Sequence, residues 1–402
     1  MRKALIIGGG IAGPVAAMAL QSAGFDVVVY EAHQPIGEDV GSYLSVATNG
    51  LDALHALEID GSIRATGFPT RHNVLLSGTG KRLGEISNGG TLQDGTVAHT
   101  IKRAHLYRAL HQHAVQRGVP CEFGKRLVIA EPAADGVVAT FEDGTRAGGD
   151  LLIGCDGIYS VTRGLIDPAA PSPRYVGLVN FGGYTTGLHV PVEPGNWYMV
   201  FGRRAFFGYV VDPVGGIVWF ANVPRDPVSD AERAATSVGQ WKQQLIELFS
   251  DDQSPASVII DAGEFELIAD NTHDLPSVPT WWKGPMAIIG DAAHAPSPTS
   301  GQGASLACED AVILAKCLRD LPDTAKAFAV YEQLRRQRVE RIVAQAARVG
   351  GRKAPGVLGS IVRDAVLPFV FKFMVTDKSQ GWIYKHHIDW NAPLELEAVG
   401  AA

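Results

Sequence analysis

The chain is poor in cysteine, carries no excess of positive charge, and contains no long apolar run. Only four cysteines occur among 402 residues, and none has the C-x-x-C spacing of a metal or redox site. Isolated thiols are typical of a reducing compartment, so we expect a cytoplasmic protein. The formal charge of −7 argues against a protein that binds nucleic-acid phosphates. The apolar runs fall short of the ~20 residues that cross a bilayer, so we expect no stable membrane insertion. The oligomeric state stays open.

Glycine is abundant, and three glycines punctuate the start of the chain. Residues 4–7 are apolar and predict a strand, and the small residues after the glycines predict a helix. Gly8 permits a tight turn, Gly10 lets a pyrophosphate approach the backbone, and Gly13 allows the helix to pack on the strand. The pattern indicates a dinucleotide-binding βαβ unit. The alternative is a glycine turn in some other βαβ unit.

The next apolar segment, residues 27–30, predicts a second strand that ends in Glu31. Glu31 lies 31 − 13 = 18 residues beyond Gly13, close to the ~20 expected for an acid that binds a ribose hydroxyl. The alternative reading of the glycine turn does not explain this acid. At this end of the chain the predicted cofactor-binding residues are Gly8, Gly10, Ala12, Gly13, Glu31 and Ala32.

Two further buried-strand patterns end in a carboxylate. Residues 151–153 lead to Asp156, and residues 286–289 lead to Asp291. Open α/β sheets bind ligands at the carboxyl ends of their parallel strands, so both acids are candidates for the cofactor site. For each of them, the alternative is an aspartate that caps the following helix.

Two predicted helix starts add positive charge near the same edge. One helix opens at residues 301–303, and Arg103 lies near the start of another helix predicted from residue 101. A cation at a helix N-terminus opposes the helix dipole, which a phosphate ligand would explain; a plain surface arginine is the alternative. The basic residues within 335–338 are flanked by acids, and they predict the solvated face of a long charged helix over 324–348.

The order of these patterns predicts an α/β fold with two domains. Short aromatic and β-branched segments over 176–223 predict an antiparallel sheet inserted into the cofactor domain. Residues 34–50 are predicted to be loop, 230–250 helix and 251–280 mixed, and the apolar segment 365–371 is predicted to dock as a helix. The predicted organisation is a Rossmann-like cofactor domain of residues 1–72, 98–170 and 281–350, an inserted antiparallel-sheet substrate domain of residues 73–97 and 171–280, and a C-terminal helical tail of residues 351–402.

Three groups of residues, in this order, resemble a known family. They are Gly8, Gly10 and Gly13; then Asp156, Gly157, Ser160 and Arg163; then residues 290–294 with Pro298, Gly301, Gln302 and Gly303, followed by residues 309–311. Together they resemble the class A, single-component FAD-dependent aromatic hydroxylases of the para-hydroxybenzoate and salicylate hydroxylase type. The resemblance covers roughly residues 1–350. It departs from the family after the second strand, where residues 41–45 offer no residue to carry over.

The resemblance implies FAD as the bound cofactor and NAD(P)H as a transient co-substrate. Gly13, Glu31 and Arg103 would hold the ADP half, and Leu127 would lie near the adenine. Asp291 would bind the ribityl chain, and Asp156 with Arg163 would serve both nucleotides. The positions implied for the flavin ring are Pro298 at its reactive edge, and Gly301, Gly303, Ala304 and Ser305 near its pyrimidine end. No acid, base or nucleophile is assigned.

The implied reaction transfers one oxygen atom from O2 to a small-molecule substrate between the flavin and the inserted sheet. Its aromatic bias suggests a bulky, electron-rich aromatic or polyketide-like compound. The candidate lining residues are Phe181, Tyr184, Phe201, Phe206, Tyr209 and Trp219, with packing of the sheet core as the alternative for each.

Two other functions fit the same scaffold. A flavin-dependent reductase or dehydrogenase of an apolar substrate would move electrons without leaving oxygen in the product. A non-catalytic FAD-fold escort protein is the third reading, and the intact second and third motifs argue against it. Flavin halogenases share the first motif, but the chain has no W-x-W-x-I-P segment.

Overall fold

The computed structural model describes residues 1–35, 42–350 and 377–394 together with Val366 and Pro368, apart from the side chains of residues 299, 347–350 and 377–378. The strands are β1 Lys3–Ile7, β2 Asp26–Glu31, β3 Tyr43–Val46, β4 Gly67–Pro69, β5 His72–Ser77, β6 Arg82–Ser87, β7 His99–Lys102, β8 Cys121–Phe123, β9 Leu127–Ala133, β10 Gly136–Phe141, β11 Arg146–Gly149, β12 Leu151–Gly154, β13 Arg174–Thr185, β14 Trp197–Phe201, β15 Phe206–Val211, β16 Ile217–Pro224, β17 Glu264–Asp274, β18 Trp282–Lys283 and β19 Met286–Ile288.

The described helices are α1 Ala12–Ser22, α2 Thr48–His55, α3 Asp60–Arg64, α4 Arg103–Gln116, α5 Val161–Ile166, α6 Asp230–Ala235, α7 Val238–Phe249, α8 Ala256–Ala262, α9 Gly303–Asp320, α10 Thr324–Gly350 and α11 Asp377–Tyr384. Short 3₁₀ turns lie at Gly290–Ala292 and Pro298–Ser300. None of the helices in the described ranges has both the length and the apolar character needed to cross a membrane.

A six-stranded sheet forms the first layer, in the order β18-β19-β12-β1-β2-β8. Its neighbours pair in parallel except for the short edge strand β18. Strand β12 is buried along its whole length, as expected for a parallel strand covered on both faces. Parallel pairing places the carboxyl ends of β1, β12 and β19 at one edge, where the predicted cofactor motifs follow.

The second large sheet has seven strands in the order β17-β13-β16-β15-β14-β5-β6. All its pairs are antiparallel except β14 with β5. Its strands come from residues 72–87 and 174–274, while the limits of the two domains remain a prediction. The predicted α/β class, with an antiparallel sheet added to a Rossmann-like unit, is confirmed.

The two faces of this sheet differ in what covers them. One face packs on α7 and α8 through Trp241, Phe249 and Ile259, and we call it the helix face. The other face packs on the small sheet β3-β7-β4, where the Trp197 indole donates to Thr100 Oγ1 at 3.0 Å. We call this second face the cleft face, because it is turned toward the cofactor fold.

Two local predictions are wrong because a distant strand decided the structure, and a third is wrong because of a local cap. The predicted loop 34–50 contains β3, which pairs with β7, and β7 occupies the predicted first turn of α4. Residues 251–280, predicted to be mixed, contain α8 and the long strand β17. The predicted helix 230–250 is two helices, and Ser237 caps the second through the backbone N–H of Gln240. The apolar segment 365–371 lies almost wholly outside the described residues.

Candidate functional site

The three predicted motifs meet at the carboxyl edge of the parallel sheet. A Cβ on Gly8 would lie 2.5 Å from the carbonyl oxygen of Cys155, which joins the turns after β1 and β12. A Cβ on Gly290, just after β19, would lie 3.5 Å from the Cβ of Ala12 and 3.1 Å from the Cβ of Ala307. Arg163 donates to the backbone oxygen of Ala292 at 3.1 Å. Each pair of motifs is therefore in direct contact.

The first turn needs its glycines for different reasons. Gly8 has a φ of +99°, which side-chain-bearing residues rarely adopt. A Cβ on Gly13 would lie 1.9 Å from the carbonyl oxygen of Gly8, so only glycine lets α1 start this close to the strand. A Cβ on Gly10 would meet no atom within 4 Å. Open space therefore lies over the backbone at Gly10, where a phosphate was predicted.

Asp291 follows β19 and opens onto a cleft. The Asp291 side chain is exposed to solvent at the cleft. The protein around it nevertheless removes part of its hydration, and this desolvation raises the pKa of the carboxyl. The charges of His294 and Arg103 oppose this rise in pKa. Among the residues that the structure describes, none donates a hydrogen bond to the Asp291 carboxylate. A carboxylate in this setting is suited to accept hydrogen bonds from a ligand.

Asp156 follows β12 but is used within its own loop. Its carboxylate accepts from the backbone N–H and the hydroxyl of Thr162, both at 2.9 Å, and from the Ser160 hydroxyl at 2.5 Å. The Thr162 N–H is one of the free donors at the start of α5, so Asp156 acts as a cap of that helix. Burial raises the pKa of Asp156, and these three donors oppose the rise.

Arg103 and Glu31 are the two charged residues predicted for the ADP half of the cofactor, and the charge of Arg103 acts on Asp291. Arg103 is exposed at the first position of α4, and its backbone N–H donates to Ser42. The Glu31 carboxylate accepts from the backbone N–H groups of Gly9 at 2.5 Å and His33 at 2.8 Å. The bond from Gly9 ties the end of β2 to the glycine turn, and the bond from His33 orders the residues directly after β2.

The start of α9 lies beside Asp291. A Cβ on Gly303 would lie 3.8 Å from Asp291 Oδ1, so the N-terminal end of α9 faces this cleft. Gly301 has a φ of +61°, and Pro298 is exposed in the preceding turn. The Ser305 side chain is buried on the opposite side, where its hydroxyl accepts from the backbone N–H of Ala47 at 3.0 Å. Ser305 can therefore face a ligand with its backbone only.

A buried ionic cluster holds this helix start in place, and local sequence analysis missed it. Asp310 Oδ2 accepts from the Gly290 N–H at 2.9 Å and contacts His294 Nε2 at 2.6 Å, while Asp310 Oδ1 accepts from Arg335 Nε at 2.7 Å. Arg335 also pairs with Glu309. Asp310 thus fixes both the residue before Asp291 and the loop after it.

The prediction of a solvated basic face over residues 335–338 is wrong for Arg335, which is 0% exposed. Arg335 and Arg338 both pair with Glu309, and although burial raises the pKa of that carboxyl, the two guanidinium groups lower it to about 2. A charge taken out of water needs such partners, because unpaired burial costs several kcal/mol. Asn49 on α2 donates to Glu309 at 2.6 Å and to Gln302 at 3.1 Å, which links α2 to the same cluster.

The predicted substrate-lining aromatics fall on opposite faces of the seven-stranded sheet. Phe181, Tyr209 and Trp219 are buried on the helix face, so the alternative of core packing holds for them and they leave the candidate lining. Tyr184 lies on the cleft face, where its ring stacks on Tyr43 at 6.0 Å. Phe206 packs on Phe220 at 6.0 Å and on Phe201 at 5.0 Å on that same face.

The remaining predicted residues are placed by these elements. Ala12 is at the start of α1, Ala32 directly after β2, and Leu127 at the start of β9 with its side chain in the main core. The open space over Gly10 and the carboxylate of Asp291 without protein donors both fit an extended ligand with phosphates and hydroxyls. The fold and the site define a dinucleotide-binding oxidoreductase whose cleft lies between a parallel sheet and an antiparallel one.

Comparison with known proteins gives the family. Residues 1–346 match the FAD-binding domain family, and the chain belongs to it. The chain is 32% identical over 348 residues to the FAD-dependent urate hydroxylase of Klebsiella pneumoniae, across 86% of this chain and 88% of that protein. It is 28% identical over 351 residues to the aurachin C monooxygenase/isomerase of Stigmatella aurantiaca, across the same two shares.

The fold agrees with the sequence comparison. Klebsiella pneumoniae HpxO, solved in complex with FAD and uric acid, superposes with a TM-score of 0.80 at 29% identity and covers 94% of each chain. The predicted resemblance to class A flavin hydroxylases is thereby confirmed. The chain is an FAD-dependent monooxygenase, and FAD is its cofactor.

Proposed function

We propose that this chain uses NAD(P)H and O2 to place one oxygen atom on a bulky, electron-rich aromatic or polyketide-like small molecule. The observation that carries the proposal is the cleft in which Asp291, Arg103 and the start of α9 face one another beneath the cleft face of the sheet. Relatives named as a urate hydroxylase and an aurachin C monooxygenase support this substrate class. In the overall balance, NAD(P)H and a proton reduce the second oxygen atom to water.

The proposed cofactor contacts follow the chain along the cleft. Gly8, Gly10, Ala12 and Gly13 would cradle the pyrophosphate, and Glu31 with Ala32 would bind the adenosine ribose. Arg103 would pair with a phosphate, Leu127 would lie near the adenine, and Asp291 would accept from the ribityl hydroxyls. The start of α9, at Gly301, Gly303, Ala304 and Ser305, would face the pyrimidine end of the ring with its N–H groups, and Pro298 would border the reactive edge.

The cofactor supplies the redox chemistry, and the protein supplies position and environment. The positive end of α9 would stabilise negative charge on the ring by about 1 kcal/mol. The Asp156 loop acts on this edge through Arg163, which holds the loop carrying Asp291. The two sheets would flank the bound substrate from both sides, which would limit its contact with water. Free thiols at Cys121, Cys155, Cys308 and Cys317 support the proposed cytoplasmic location.

Two measurements separate this function from the alternatives. Bleaching of bound FAD by NAD(P)H under nitrogen distinguishes an enzyme from an escort protein, which would stay oxidised. Oxygen-18 from labelled O2 should then appear in the product of any compound that stimulates NAD(P)H oxidation. A turned-over product without the label would favour a reductase or dehydrogenase and contradict the proposal.

A further inference from the structure

A β-bulge places a carboxylate on the cleft face of the seven-stranded sheet. Gly182 on β13 pairs with Leu267 on β17, and Asn180, two residues earlier, pairs with Asp270. Asn180 and Gly182 are two positions apart on β13, whereas Leu267 and Asp270 are three positions apart on β17. Strand β17 therefore carries one extra residue here. In a regular strand Asp270 would point to the face opposite Leu267. The bulge brings both side chains to the same face.

The bulge contains a strained backbone conformation, which a side chain on α6 stabilises. Ala269 adopts a φ of +50°, a conformation that residues other than glycine rarely adopt. Arg233 on α6 donates to the backbone oxygens of Ile268, at 3.1 Å, and of Ala269. Ala269 is fully buried on the helix face, and Asp270 is exposed. Bulges of this kind commonly re-aim one side chain next to a site.

From this geometry we propose that Asp270 and Asn180 form the polar part of the substrate site, and that they select a planar ring carrying an N–H beside a C=O. This inference rests on the proposed function and narrows its substrate class to cyclic amides. Asp270 would accept from the ring N–H, and the Asn180 amide would donate to the ring carbonyl. Both residues determine specificity rather than the chemistry of oxygen transfer.

The orientation of the Asn180 amide follows from its other neighbour. Asn222 on β16 pairs with Asn180 across the strands and donates to its Oδ1. This bond engages the carbonyl of Asn180, so the NH2 group is the end that can donate to a ligand. Directly paired side chains on neighbouring strands lie about 5 Å apart at Cβ, which places the Asn180 donor beside the Asp270 acceptor.

The pair lies at the cofactor cleft and not elsewhere on the sheet. A Cβ on Gly182 would lie 3.3 Å from the Cβ of Ser42, and the Ser42 carbonyl accepts from the Arg103 N–H at 3.0 Å. The charge of Arg103 acts on both Asp270 and Asp291. Burial raises the pKa of Asp270, while Arg233, His273 and Arg103 lower it.

Aromatic rings complete the surface around the pair. Phe206 is the register partner of Asn222, and Phe220 is the partner of Gly182, so both rings lie on the cleft face beside the amides. A flat ring can pack against them while its polar edge meets Asn180 and Asp270. This part of the cleft face therefore combines aromatic rings with a polar pair, and an entirely apolar substrate would leave the polar pair without hydrogen-bond partners.

The test compares two bicyclic probes of the same size in the FAD-loaded full chain. 2-Quinolone carries the N–H and C=O pair, and 2-naphthol does not. We expect 2-quinolone to bind at least about tenfold more tightly by calorimetry, since one charge-assisted hydrogen bond accounts for about this factor. The preference should disappear in Asp270→Leu, which removes the acceptor, and in Asn180→Leu, which removes the donor. The exposed Asp261→Asn variant, on the helix-face side, should keep it.

The outcomes separate this inference from the proposed function. Equal binding of the two probes, binding of neither, or a preference retained in both variants would overturn the assignment of Asp270 and Asn180. Bleaching of FAD by NAD(P)H should be the same in the wild type and in the Asp261→Asn control. If NAD(P)H does not bleach the bound FAD of the wild-type chain, that result counts against the proposed function instead.

Discussion

Asp156 and Asp291 occupy equivalent places in the parallel sheet and do different work. Each follows a strand with its carboxylate at the carboxyl edge, yet Asp156 receives three hydrogen bonds from its own loop. Asp291 receives none from the described residues and stands in a cleft beside Arg103 and the start of α9. An acid that directly follows a strand therefore lies at the carboxyl edge of the sheet. Whether it caps a helix or binds a ligand depends on whether protein groups donate hydrogen bonds to it.

A third carboxylate connects these two regions. Asp310 fixes Gly290 and His294 on either side of Asp291, and Arg163 in the Asp156 helix holds Ala292 in the same loop. The Asp291 carboxylate is thus positioned by groups that are themselves hydrogen-bonded within the protein. This division predicts separate effects on folding and on FAD binding when each group is changed.

The largest effect is expected for Arg335→Met. Removing this guanidinium leaves Glu309 and Asp310 buried with part of their charge uncompensated, which costs about 3–5 kcal/mol in the free energy of unfolding. Urea unfolding of the apoprotein measures this loss. Arg341→Met, on the exposed side of the same helix, should lose less than about 1 kcal/mol. Equal losses in the two variants would show that the buried cluster does not support the fold.

Asp156→Asn should have a smaller effect, and it should act on stability. The amide keeps the size of the carboxylate, but only one of its ends accepts, so it cannot accept from both Ser160 and the N–H of Thr162. We expect a loss of about 1–2 kcal/mol in the thermal unfolding of the apoprotein. The exposed Asp135→Asn provides the baseline. An unchanged melting temperature would contradict the capping role.

Arg103→Ala should change FAD binding and leave stability nearly unaltered. The side chain is exposed, so we expect about a tenfold weaker affinity, equivalent to about 1.4 kcal/mol. Fluorescence titration of FAD measures it, with the exposed Arg126→Ala as control. If both variants bind FAD like the wild type, Arg103 does not contact the cofactor.

The smallest effect at neutral pH is expected from the coupling between FAD binding and the protonation of Asp291. Burial raises the pKa of this carboxyl in the free protein, and hydroxyl donors on the carboxylate would lower it in the complex. FAD binding would then release a proton, so the affinity falls as pH drops through the raised pKa and is constant well above it. Titrations of FAD from pH 4 to pH 8 test this. Asp291→Asn should remove this pH dependence of the FAD affinity. If the dependence persists unchanged in that variant, another group causes it.

Local patterns predicted the glycine turn and the order of the three motifs, because their requirements are local. Gly8 and Gly13 are fixed by backbone conformation and by contacts within one turn. The bulge at Ala269 was not predictable in this way, since it interrupts the alternation of β17 and leaves a mixed pattern. The pairing of β3 with β7 joins segments more than 50 residues apart, which no local pattern contains.

The buried position of Arg335 had a signal that charge alone concealed. Phe328, Tyr331, Val339 and Ile342 recur at helical spacing on one face of α10, and Arg335 falls on that same face. Spacing therefore predicts burial, while the neighbouring charges suggested a solvated surface. An arginine among apolar positions of a helix requires an acidic partner, and Glu309 and Asp310 provide it.

The most direct test of the account is the FAD affinity of the wild type, Asp156→Asn and Asp291→Ala, measured side by side in folded apoprotein. We expect the wild type to bind one FAD per chain, and Asp156→Asn to stay within about fivefold of it. Asp291→Ala should bind at least about 100-fold more weakly, because several hydroxyl contacts to one carboxylate are lost together. Full flavin occupancy in Asp291→Ala would contradict the central claim that the open carboxylate binds the cofactor.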